Sequence, residues 1–180
     1  MSAVPSPKLQ PSTYEWLTID QISRAPLRAA AAYWSALRGD RLFPARSDLN
    51  PRAMSSFLPY ISLLAVIDGG ADFEHKVVGD IVVRAFNVPI QNRRFSEIAK
   101  DAPELIALSF ELFRKVVDTR APLAYLQRSG NDIYHIAYSE AEMVLLPFGR
   151  SDDAVDHVAG FAIHSSIIDG WFLPNHLTRP

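Results

Sequence analysis

The 180 residues include no cysteine, which removes disulfides, thiolate metal ligands and a cysteine nucleophile in one step. No apolar run approaches the ~20 residues that a helical bilayer crossing needs. Residues 1–12 are polar and carry Pro5, Pro7 and Pro11, where a secretory leader would place a basic start and an apolar stretch. A cytoplasmic protein is expected. Neither sign of charge dominates, with 18 Lys and Arg against 20 Asp and Glu. Such a chain has no general attraction for phosphate backbones, and nucleic acid is not an expected partner. The G-x-S-x-G elbow, the P-loop and G-x-G-x-x-G are also missing, and with them the common nucleophile and phosphate cradles.

What is present has a globular balance: 48% apolar and 21% charged residues, in a length that suits one core. The chain divides into a flexible arm over 1–12, a helical extension with an arginine-rich loop over 13–59, a core domain over 60–166 and a tail over 167–180. Trp16, Leu17, Ile19 and Ile22 suit a strand or a first helical turn. Leu27, Ala30, Ala31, Tyr33, Trp34 and Leu37 then recur at three- and four-residue spacing ahead of Gly39, the pattern of an amphipathic helix with a left-handed end. Asn50 and Pro51 predict a short helix to about Leu58. Ile61–Ile67 and Phe73–Val78 flank Asp68, Gly69 and Gly70 and predict a hairpin. Short helices are expected over 81–86 and around Ser96, and a longer, largely buried one from Pro103 to Val117. Three strand-favouring stretches follow: 123–127, 133–148 with a polar interruption at Ser139 to Glu142, and 155–164.

That order cannot build a doubly wound parallel sheet; it builds an antiparallel sheet covered by helices, an α+β class. Particular residues add to it. Tyr33, Trp34, Leu37, Arg38, Gly39, Arg41, Pro44, Arg46, Asp48 and Pro51 resemble the opening signature of a bacterial single-domain PAS subfamily, the type-five PAS domain family. The resemblance continues through Leu58, Pro59, Val78, Gly79, Arg93 and Arg94 to Leu146, Pro147, Asp152, Asp153, Val155, Asp156 and Gly160. It implies a PAS-like five-stranded antiparallel sheet flanked by helices, here with an N-terminal helical extension, in a regulatory protein, and it implies no substrate. There are two departures. Gln91, Asn92 and Arg93 replace a Thr-Gly-Arg-like triplet, and Ala154 follows Asp153 where a glycine is usual, which leaves an aspartate to adopt positive φ.

Arg38, Arg41 and Arg46, with Asp48, offer an anion clamp, because guanidinium forks match carboxylate or phosphate in pairs; the competing reading is a network that ties the loop to the helix. Trp34 beside them walls a pocket or packs as core. Tyr125, Tyr134 and Tyr138, with Met143 and Phe148, fall in the late strands, where hydroxyls can orient a mostly apolar ligand between sheet and helices; a filled core is the alternative. No two of His75, His135, His157, His164 and His176 stand three or four residues apart, so no metal site is expected. The cofactor, if there is one, is unknown; it would be held without a thiol, and haem on His75 or His135 competes with an ordinary strand histidine. Glu140 and Glu142 read as a solvated strand edge or bulge, and Asp152, Asp153, Asp156 and His157 as a polar turn without the calcium-loop pattern.

The function expected is a non-catalytic sensory or regulatory module in bacterial signalling that binds a small ligand, a protein partner, or both. Two alternatives differ in class. One is a small cavity enzyme using His135 and Glu140 as acid and base. The other is a ligand-free adaptor that forms a homodimer through the helix around Tyr33 and Leu37.

Overall fold

The structure, a computed structural model, describes residues 12–86, 88–128, 140–168 and 171–174, with side chains as far as Ser165. Tyr134, Tyr138, His135 and His176 lie outside the described residues. The chain opens with strand β1 (Thr13–Leu17) and helix α1 (Ala25–Arg38), crosses an irregular loop, and enters the hairpin β2 (Ile61–Ile67) and β3 (Asp72–Val78). Helices α2 (Asp80–Ala85), α3 (Phe95–Ile98) and α4 (Pro103–Thr119) follow. Strands β4 (Leu123–Arg128), β5 (Glu140–Phe148), β6 (His157–Ile168) and β7 (Trp171–Pro174) complete the described chain.

One antiparallel sheet runs β1-β4-β5-β6-β2-β3, with β7 pairing the far end of β6. The expected five strands are its heart. The sheet is wider than expected because the first segment resolves as a strand, β1 along β4, and residues 171–174 add β7. Helix α1 places Leu27, Ala30, Ala31 and Trp34 inward at the spacing read from sequence, and Gly39 ends it at φ 54°. The hairpin turn carries Asp68, Gly69 and Gly70 at φ 46°, 66° and 98°.

Four local expectations are corrected. Residues 51–57 form successive turns, not a helix, and these bury only Met54 and Phe57. Helix α4 is one-sided: Leu105, Ile106, Leu112, Phe113 and Val116 are buried while Glu104, Glu111 and Lys115 face solvent. Strand β5 has no break at Glu140–Glu142, since each residue pairs with β4 and β6. The turn after β5 closes through a Ser151–Ala154 bridge without positive φ at Asp153 or Ala154, so no glycine is needed there. At the other departure Asn92 sits at φ 57°, in the left-handed region that asparagine tolerates better than most residues.

The two faces of the sheet carry different layers because side chains alternate along each strand. Met143 and Leu145 of β5 point to α4 and its neighbours, whereas Glu142 and Leu146 point to α1 and the segment ahead of it. On the α1 side Phe57 packs edge-on against Phe161 and tilted against Tyr33. On the α4 side Phe73 meets Phe95, Phe110 and Phe113 at 5.4–5.7 Å.

Candidate functional site

Small residues on the sheet and short helices above it leave a cavity of about 60 Å³. Ser62, Gly160 and Ala162 contribute its low floor, and Met143 and Leu145 of β5 stand beside them. Val82 of α2, Phe86 just after it, Ile90, Phe95 of α3, and Leu105, Ile106 and Phe113 of α4 form the apolar roof. Gly160 is needed for the close approach: a Cβ there would meet Leu145 Cδ2 at 3.1 Å and Phe113 Cζ at 3.4 Å.

Four polar residues border this space, Ser62, Ser109, His75 and His164. The Ser109 hydroxyl donates to the Leu105 carbonyl of its own helix at 2.9 Å. His75 on β3 is 7% exposed, stacks at a tilt against Phe95, and has no hydrogen-bond partner at Nδ1. His164 on β6 is buried with its ring edge-on to Phe86 at 5.9 Å. Burial pushes the His75 imidazole down to about 4, only partly opposed by the nearby Arg93 backbone, and burial pushes His164 to about 4 as well. Both are neutral at pH 7. Arg, Lys, Asp and Glu are absent from the described lining, so an ion entering it would lose its hydration without a counter-charge.

A water molecule needs roughly 10–15 Å³ of such space, and a drug-sized ligand roughly 300 Å³ or more. The cavity therefore suits a compact molecule. It does not fit the haem considered for His75, whose macrocycle far exceeds it, and among the described residues no cluster of three or more His, Cys, Asp or Glu could hold a metal.

The residues expected to bind ligand are not brought together there. Tyr125 shares the α4 side of the sheet but is covered by Tyr14 and Trp16 of β1, with ring centroids at 6.1 and 6.0 Å. Trp34 lies on the other face, its indole donating to the Pro147 carbonyl at 2.7 Å. Arg38 stacks over Trp34 at 5.6 Å and donates to the Arg41 carbonyl at 2.9 Å. Arg41 in turn donates to the Leu37 carbonyl and to Asp48, at 2.9 and 2.8 Å, and its guanidinium holds the Asp48 carboxyl below the usual carboxylate range, helped by the Ala45 amide. That geometry ties the loop to the end of α1. Arg46 is exposed at the next turn. Along the same flank a surface groove of about 400 Å³ runs past exposed Ile19 and Leu42, with Trp34 and Leu146 inside it and Arg38 and Arg120 bordering it.

The acidic pair is split. Glu140 lies 3.3 Å from Arg128 in an ion pair. Glu142 is not the solvated residue expected; it is 5% exposed and accepts the amides of Ser23 and Arg24 at 2.7 and 3.1 Å, and the Ser23 hydroxyl. These two amides lie immediately ahead of α1, at its N-cap Arg24 and the residue before it, so a strand carboxylate supplies the anionic group that suits a helix start. Sequence reading missed this partnership and the cavity role of His164. The signal for the histidine was Gly160, Ala162 and His164 at two-residue spacing, a strand face too small and too polar to be simple core.

No helix among the described residues is long and apolar enough to cross a membrane. A family model described as PAS domain, for the type-five subfamily, matches residues 22–163, a span that begins just ahead of α1 and ends within β6. No curated protein and no solved structure matches the chain.

Proposed function

The chain belongs to the type-five PAS domain family, and on that premise we propose that it works as a non-catalytic sensory module of bacterial signalling: a small ligand occupies the cavity under α2–α4, and a protein partner reads the consequence on the other face of the sheet. The observation that carries this reading is the alternation along β5. Met143 and Leu145 line the cavity, and Glu142, the residue before Met143, holds the two amides immediately ahead of α1. A ligand that displaces Met143 strains the same strand segment that anchors the helix, and an equilibrium moves only through such a difference between states. The exposed Ile19 and Leu42 along the α1 flank support a partner there, either another protein or a second copy of the chain.

The test compares the full chain with Ala162→Leu, which adds bulk to the cavity floor, in native mass spectrometry, thermal shift against small metabolites, and amide exchange. A ligand is expected to be retained by, or to stabilise, the wild type and not the variant, and its binding should slow exchange at residues 23–28. Exchange there that ignores occupancy would remove the route through β5. A wild type that neither carries nor responds to any small molecule would remove the sensor. Light scattering with and without Leu42→Asp separates a second copy from a different partner.

A further inference from the structure

The lining specifies more than size. Its surface is apolar almost throughout, it offers no described ionised side chain, and His75 Nδ1 is a buried polar atom left without a hydrogen bond. Leaving such an atom unsatisfied costs about 1–3 kcal/mol, and natural structures rarely keep one without a reason. A neutral imidazole presents one N–H and one lone pair, and which of them stands at Nδ1 depends on the tautomer. A hydroxyl meets either requirement, because it both donates and accepts.

We propose that the occupant of this cavity is a compact, uncharged molecule with an apolar body and one hydroxyl group, held by a hydrogen bond to His75 Nδ1. The inference rests on the ligand-binding reading above and names the chemistry of that ligand. Phe86, Phe95 and Phe113 give the apolar body ring faces and edges to pack against. Met143, unbranched and pliable, is the side chain that can turn aside to admit a molecule of one-ring size. A carboxylate of the same size is rejected, since the described lining holds no guanidinium or ammonium to receive it.

Phenol, toluene and benzoate test this, being near in size and differing in the hydroxyl and the charge. Binding to the full chain is followed by ligand-detected NMR, with histidine ¹⁵N resonances as the site readout. Phenol is expected to bind at least tenfold more tightly than toluene and to move the His75 Nδ1 resonance, while benzoate at neutral pH does not bind. In His75→Leu the preference for phenol over toluene should vanish with toluene binding retained. Equal binding of phenol and toluene, a phenol complex with an unmoved His75 resonance, or preferential binding of benzoate would each overturn the hydroxyl inference and leave a ligand-binding cavity in place. Entry of none of the three would overturn the cavity reading with it. Should His75→Leu fail to fold, the wild-type resonance decides.

Discussion

The indole N–H of Trp34 reaches the carbonyl of Pro147 at 2.7 Å, and so caps the one residue of β5 that has no amide hydrogen. Proline within a central strand normally breaks a ladder. Here β4 pairs β5 only as far as Leu123 opposite Leu145, so no neighbour on that side asks for the missing donor, and α1 supplies the partner that the carbonyl still needs. Trp34→Phe keeps most of the packing and orphans that carbonyl. A loss of about 1–3 kcal/mol is expected in urea unfolding, with the fold retained by far-UV dichroism.

Glu142→Gln keeps the size and one acceptor oxygen but removes the charge facing the Ser23 and Arg24 amides. Hydrogen bonds to a charged acceptor contribute about 1.5–3 kcal/mol, so a loss of about 1–2 kcal/mol is expected. In the double variant with Ser23→Ala the two losses should fall short of adding, as expected for groups sharing one network. Strict additivity would mean that the hydroxyl contact contributes nothing.

Stability should fall on mild acidification. His75 and His164 have folded values near 4 against 6.5 when unfolded, so between those limits the unfolded chain binds more protons. By linkage, the penalty is absent above about pH 6.5, grows as the pH falls, and is complete near pH 4. At pH 5 each histidine costs about 2 kcal/mol on this arithmetic. The urea midpoint should hold from pH 7.5 to about 6.5 and then drop as far as pH 4.5, and His164→Phe should remove about half of that drop. A midpoint constant over that range would show that the rings are hydrated.

Gly79 is confined by contact and not by its dihedral angle. A Cβ would fall 2.2 Å from the Pro59 carbonyl oxygen, next to the bond from the Gly79 amide to Ile61 that closes the hairpin base. Gly79→Ala is expected to cost about 3 kcal/mol or more, because backbone, not a pliable side chain, stands in the way. At Gly69, where nothing lies within 4 Å, the strain of a positive φ is the only penalty, and a smaller loss of about 1 kcal/mol is expected for Gly69→Ala.

The elements that could be read from sequence were those whose periodicity reports one buried face. Leu27, Ala30, Ala31 and Trp34 announce α1, and the Asp-Gly-Gly turn announces the hairpin, because burial and φ act locally. Glu142 was misread for the converse reason: its partners are 118 and 119 residues away, and a carboxylate on a strand carries no local mark of a helix start waiting for it. The cavity was half legible. Met143 was named, but Tyr125 was placed in the lining when β1, whose Trp16 was left between strand and helix, covers it instead. Of the arginine group, Arg38 and Arg41 meet at the end of α1, where Arg38 donates to the Arg41 carbonyl of the loop and Arg41 to the Leu37 carbonyl of the helix, while Arg46 stands exposed; composition and spacing alone do not report such engagements.

Alternation along β5 has one more consequence. If that strand slipped by a single residue against β4 and β6, Glu142 would enter a space walled by phenylalanine and Met143 would face the bare amides of Ser23 and Arg24. Both positions reject the exchange, so an acid that looks like a stray polar residue in the sheet acts as the mark that fixes its register.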